Sequence, residues 1–275
     1  VIVGPGGRYA AAAKRLLFGV IGTEAPAGPS ELLVIASPDA DPEIVAADLL
    51  AQAEHDVVAI PAVIVLGFED SVNKGITSNV LNYSNVGEYS NAVKKQNNSD
   101  VSSDRTKVSV RGDVNAWSFS TSLNSSLARR LDALPEPNRT VARRALQNGW
   151  LFVAANEDEV LKAAERFAPE HLEIFTPEPQ AWAERIRTAG AVFLGPGSAE
   201  VFGDYGAGPN HCLPTGGAAR FAAGLSVLSF LRARTWLEMD DPSALSSETA
   251  AFARIEGLEA HARAAELRTS LRRGI

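Results

Sequence analysis

The sequence predicts an α/β fold: an open sheet with helices on its faces, followed by a helical C-terminal tail. Three observations carry this. Short β-branched apolar runs recur along the chain. Segments with helical spacing separate them. The last thirty or so residues are rich in Ala, Arg, Leu and Glu with almost no strand formers.

In order, residues 1–3 read as a strand. Residues 9–18 read as a helix, with Leu16 and Leu17 on its apolar side. Residues 32–36 (LLVIA) form a buried strand. Residues 42–55 are a strong helix, with Asp41 as N-cap and Pro42 in its first turn. A further β-branched run lies at 57–65. After a break, helices are expected at 126–134 and 140–148, the second stopped by Gly149. A strand follows at 150–154 and a helix with an acidic start at 158–167. Then come a strand at 172–175, a helix at 179–188 and a strand at 191–194. Residues 195–217 are Gly- and Pro-rich loops, and 244–273 are helical with an interruption near Gly257.

Residues 67–122 break this rhythm. They hold eight asparagines and only two alanines, Ala92 and Ala116, against Ala-rich flanks. A stretch this long without periodicity reads as a surface insertion. The alternative is a small β subdomain with weak strands at 107–110 and 116–119.

Composition excludes several function classes. The 275 residues carry a net charge of −7, so the basic face that a nucleic-acid binder needs is missing. No apolar run reaches the length of a membrane span. The opening VIVGPGG lacks a basic segment before its apolar run, so it is not a signal peptide. Its strand-like start leads us to expect chain upstream. Cys212 is the only cysteine, which rules out an intrachain disulfide and a cysteine-cluster metal site.

The chemistry-bearing residues centre on the four histidines, His55, His171, His211 and His261. Gln52 and His55 lie three apart near a helix end, so both could reach one metal ion. His55 also reads as a partner for the helix dipole. Glu170 and His171 join a base to a carboxylate that can activate water. On a strand, neighbours point to opposite faces, so a loop geometry is needed for both to act together. Asp204 and His211 frame GDYGAGPNH, whose glycines allow a close backbone approach to a ligand. Glu256 and His261, five apart in EGLEAH, do not share a helix face. Ser30 in AGPSE lacks a nucleophile elbow and reads as a polar contact or turn residue. GPGGRY fails as a dinucleotide fingerprint, because Tyr9 takes the third glycine position.

In order, GPGGRY, AGPSELLVIA, VAADLLAQAEHD, APEHLE, AGAVFLG, GDYGAGPNHCLPT, ARFAAGLSV and EGLEAHARAAELR resemble the histidinol dehydrogenases. The match points to the C-terminal two-thirds of the family's chain. It implies incomplete Rossmann-like sheets, with residues 1–31 ending an NAD-binding domain. Residues 32–66 and 123–225 would be the main zinc and substrate domain, 67–122 an insertion, and 226–275 a dimerisation tail. It implies Gln52, His55, Asp204 and His261 as zinc ligands and Glu170 and His171 as the acid–base pair. The zinc ligands and His171, with Ser30, His211 and Glu256, would hold L-histidinol. Gly7 stands where the family usually has an NAD-contacting Asn. The implied activity is oxidation of L-histidinol through the aldehyde to L-histidine with two NAD. The implied assembly is a homodimer in which Glu256 and His261 complete the partner's site. A bacterial source would imply the cytoplasm, a plant or algal one the plastid. Two other readings stay open: a related zinc and NAD dehydrogenase for another small alcohol, and an inactive zinc-binding remnant.

Overall fold

The computed structural model describes residues 1–4, 7–24, 28–67, 79–82 and 114–269. The chain divides into two compact units, Val1–Phe230 and Leu231–Ile275.

The first unit is built on a six-stranded sheet: β1 (Glu31–Ala36), β2 (Ile60–Leu66), β3 (Asn79–Asn82), β4 (Trp150–Ala154), β5 (His171–Phe175) and β6 (Ala191–Leu194). The strand order is β3-β4-β2-β1-β5-β6. All pairings are parallel except that of β3, which runs antiparallel on the edge. Every residue of β1 is buried. A parallel strand covered on both faces needs a continuous apolar run, which LLVIA supplies.

The two faces separate by the alternation of the strands. Leu32, Val34, Ala36 and Phe175 pack with helices α2 (Pro42–Glu54), α3 (Val114–Ala133) and α4 (Asn138–Ala145). Leu33, Ile35, Leu172 and Ile174 pack with α5 (Glu157–Phe167) and with Trp182 of α6 (Pro179–Arg185). Helix α2 starts as its sequence dictates: the Asp41 side chain accepts from the Glu43 N–H at 2.8 Å, and Pro42 opens the helix.

Several local expectations fail for identifiable reasons. Among the described residues, residues 1–3 form a single bridge, Ile2 to Thr23, rather than a strand. Helix α1 (Arg8–Leu17) forms, but its Leu16 is exposed and Lys14 is its buried residue. The Lys14 ammonium bonds Glu24 and the Gly4 carbonyl, which offsets its burial. Residues 116–119 are helix, not strand. Ala116, Phe119, Leu123 and Leu127 make one buried helical stripe. Ser120 and Thr121 bond back to the carbonyls of Ala116 and Trp117, so a Ser/Thr-rich segment stays helical. Residues 107–110 lie outside the described residues. The loop expected at 195–217 contains a short helix, α7 (Glu200–Asp204).

The second unit is a helical hairpin, α8 (Ser243–Ile255) and α9 (Glu259–Glu266), packed through Ala250, Ala253 and Ala262. Gly257 adopts φ 76°, and the N–H groups of Gly257 and Leu258 return to the carbonyls of Arg254 and Ala253. This is a Schellman stop, and it is why the tail breaks there. No helix among the described residues is long and apolar enough to cross a membrane.

Candidate active site and metal centre

Ser30, Glu170 and Gly190 each directly precede a parallel strand. They gather at the amino edge of the sheet, opposite the carboxyl edge where open α/β sheets usually bind ligands. Helix α5 stops at Phe167, Ala168 takes a left-handed turn (φ 51°), and β5 begins only at His171. Glu170 therefore lies outside the strand, and the strict opposition of neighbouring strand residues does not hold. Its Oε2 accepts from Ser30 Oγ at 2.6 Å and from the Glu31 N–H at 3.1 Å, and lies 3.7 Å from His171 Nδ1. Both side chains are almost fully buried. Gly190 packs so tightly here that a Cβ on it would sit 2.6 Å from the Glu170 carbonyl oxygen.

His171 Nδ1 is 3.2 Å from the Glu31 carbonyl oxygen. A carbonyl only accepts, so this contact assigns the proton to Nδ1 and leaves Nε2 as the free base. Burial pushes the Glu170 carboxyl above its ordinary value, against the pull of His171, Ser30 and the Glu31 N–H.

Glu31 adds a second perturbed carboxyl. It is 5 % exposed, and one oxygen accepts from the Gly216 N–H at 3.2 Å. Burial raises its pKa from 4.5 to about 7; the Gly216 N–H opposes this and the Glu170 charge adds to it. The folded state thus holds this proton more tightly than the unfolded chain does. The resulting stabilisation is complete below pH 4.5 and is lost as pH rises through 7. Glu31→Gln is expected to be more stable to unfolding than wild type at pH 8, by on the order of 1–3 kcal/mol. At pH 4 the two proteins should unfold together. Equal gains at both pH values would contradict the assignment.

The second cluster lies at the end of α2. Asp48, Gln52 and His55 share one helix face by their spacing. His55 Nε2 lies 3.8 Å from Glu200 Oε1 and 3.9 Å from Asp204 Oδ2. Glu200 and Asp204, four apart, bracket α7. One ligand atom from each of these three residues falls within 4.8 Å of the others, a grouping able to hold a metal ion. Gln52 is fully buried, and neither its amide oxygen nor its nitrogen has a hydrogen-bond partner. An unpaired buried amide costs roughly 1–3 kcal/mol. A cation accepted by its oxygen would offset part of that cost, and the nitrogen–oxygen donor set suits zinc. The chain's residues therefore fit the metal that the resemblance implies.

Charge points the same way. The Glu200 carboxylate pushes the His55 imidazole up, with Asp204 and Glu170 adding to it and burial opposing. Behind this cluster Glu173 is fully buried, and its Oε1 accepts from the Glu200 N–H at 2.8 Å. Burial first, then Asp48, lifts Glu173 well above the carboxylate range. Asp48 itself rises to about 6 through burial and Glu200. Glu200, Glu173 and Asp48 are not among the residues that the motifs single out. The available signal was spacing: Asp48 one helical turn before Gln52, and Glu200 one turn before Asp204.

Among the described residues, Gly7 and His211 make none of these contacts. His211 is exposed in the loop after α7. That loop returns to the site through Thr215, which accepts from the Gly28 N–H, and through Gly216. Gly7 is the N-cap of α1 and offers no side-chain cap. Glu256 and His261 belong to the second unit. Glu256 is the C-cap of α8, and His261 lines a cavity of about 540 Å³ with Met239, Leu245 and Thr249.

Comparison with known proteins now decides the family. A profile described as histidinol dehydrogenase matches residues 1–111 and 113–269. The chain belongs to the histidinol dehydrogenase family. The histidinol dehydrogenase of Thermus thermophilus is 37% identical over 269 residues, covering 97% of this chain and 53% of the relative. That of Geobacillus kaustophilus is 38% identical over 270 residues, covering 97% and 52%. The crystal structure of histidinol dehydrogenase from Elizabethkingia anophelis matches with a TM-score of 0.70 at 29% identity. It covers 96% of this chain and 50% of that one. The chain thus spans about half the length of the curated relatives it matches, where the motif order suggested two-thirds.

Proposed function

We propose that this chain supplies the zinc and substrate half of an NAD-dependent oxidation of L-histidinol, through the aldehyde, to L-histidine. The observation that carries the proposal is the Ser30–Glu170–His171 corner, close enough for Glu170 to act on the charge of His55 in the metal cluster. Gln52, His55 and Asp204 would hold zinc, with His261 of a second copy as the further ligand. Zinc would supply positioning and charge stabilisation for the amino alcohol. NAD would accept the hydride.

The chain's own residues handle the protons. His171 Nε2 takes the hydroxyl proton as the carbinol carbon loses hydride, giving the aldehyde. Glu170 then takes a proton from water as that water adds to the aldehyde. His171 returns its proton to the aldehyde oxygen as the water adds, and then takes a hydroxyl proton from the hydrate; a second NAD would accept the hydride, leaving the acid. Ser30 holds the Glu170 carboxylate in place. His211 and Glu256, the latter from the second copy, would contact histidinol. We infer a homodimer from the same resemblance.

The test is turnover of the full-length protein loaded with zinc. L-Histidinol should yield two NADH per molecule oxidised. NADH formed from another small amino alcohol and not from histidinol would move the substrate. Zinc binding with no NADH from any of them would leave a zinc protein that is not a dehydrogenase.

A further inference from the structure

We propose that Phe193 is a positioning residue for the reaction: its ring is the spacer between β5, which carries the base His171, and α7, which carries Asp204. This rests on the histidinol reading above and adds a residue to it.

Strand register puts the ring there. β6 pairs in parallel with β5, with Ala191 beside His171 and Phe193 beside Glu173. Alternation therefore sends His171, Glu173 and Phe193 to one face of the sheet. On that face the rings of His171 and Phe193 lie 6.0 Å apart and tilted by 43°, within the range of a packed aromatic pair. The same face receives α7, whose Glu200 N–H donates to Glu173 Oε1 at 2.8 Å.

Gly203 shows how closely α7 is seated. It is buried within α7, immediately before Asp204. Its backbone is not left-handed, so its conformation does not require glycine, and a helix interior disfavours one. Space requires it. A Cβ on Gly203 would lie 2.8 Å from Phe193 Cζ and 2.9 Å from Cε1, where carbons pack at about 3.5–4.0 Å. One added methyl would force ring and helix apart by roughly 1 Å. The ring that would have to yield is the one packed on His171.

A helix of five residues has little stability of its own, so α7 takes its position from what it rests on. Glu173 fixes its first turn and the Phe193 ring fixes its distance from the sheet at Gly203. The consequence falls on one step. A substrate held by the metal moves with α2 and α7, whereas the base stays on β5. Changing the spacer alters the gap between His171 and the substrate hydroxyl more than the contacts that bind the substrate.

The experiment compares full-length wild type, Gly203→Ala, Phe193→Leu and the variant carrying both substitutions, each checked for folding by thermal unfolding. Two quantities are read: kcat and KM for L-histidinol at saturating zinc, and zinc affinity by competition with a chromophoric chelator. Either single substitution should lower kcat by about 10- to 100-fold. KM should stay within about threefold of wild type, and zinc should bind about 10-fold more weakly because Asp204 moves. In the double variant the new methyl fills the space that the ring tip leaves, so kcat and zinc affinity should both recover most of the loss. If Gly203→Ala does not fold, Phe193→Leu, which only removes atoms from the contact, decides by the same two measures. Single variants that unfold at lower temperature but keep the wild-type kcat and zinc affinity when folded would overturn the proposal. So would a double variant no better than the worse single one. Wild type that binds zinc but does not oxidise histidinol would overturn the reading of function; the zinc affinities of the four proteins would still uphold or overturn the spacer.

Discussion

Replacing His171 with Asn should lower kcat for histidinol oxidation by about 10²- to 10⁴-fold while leaving zinc binding unchanged. The substitution is chosen for its geometry. An Asn amide can still donate toward the Glu31 carbonyl that His171 Nδ1 faces at 3.2 Å. What it lacks is a second nitrogen able to take a proton. His171 is almost fully buried beside Phe193, with ring centroids 6.0 Å apart, so bulk water does not readily replace it as base. KM should change little, because binding depends mainly on other groups. A kcat within tenfold of wild type would remove His171 from the role of base.

Replacing Gln52 with Leu should produce the second large effect, and in two opposite directions. Wild-type protein should gain about 2.7 kcal/mol of stability when free zinc reaches a hundred times Kd. In Gln52→Leu that gain should largely vanish. The metal-free variant should nevertheless be as stable as wild type or more so. Both amide atoms of Gln52 are buried without partners, and an apolar residue of similar size removes that cost. Thermal unfolding with and without zinc checks both halves. A metal-free variant clearly less stable than wild type would mean that Gln52 holds the fold together rather than waiting for an ion.

The contrast between Gln52 and Glu200 shows what a sequence can carry. The spacing of Gln52 and His55 is local, so one helix suffices to see it. Likewise the capped start of α2 and the all-buried β1 follow from adjacent residues. Glu200 is a different case: a carboxylate near Gly and Pro reads as solvent-exposed until the sheet brings Glu173 against it. Ser30 and Glu170 meet across 140 positions, which no periodicity encodes. Their joint orientation also depends on β5 starting one residue after Glu170, a boundary that pattern reading does not fix to that accuracy. The start of α3 was hidden for a chemical reason. Its hydroxyls bond their own helix, so a polar composition conceals a buried face.

The central claim is that this chain builds a zinc-dependent site for histidinol. Calorimetric titration of L-histidinol into the purified protein, with and without stoichiometric zinc and beside a His261→Ala control, tests it most directly. The account predicts binding that needs zinc and is lost in the control. Binding of equal strength without zinc, or none in a folded, zinc-loaded protein, would contradict it.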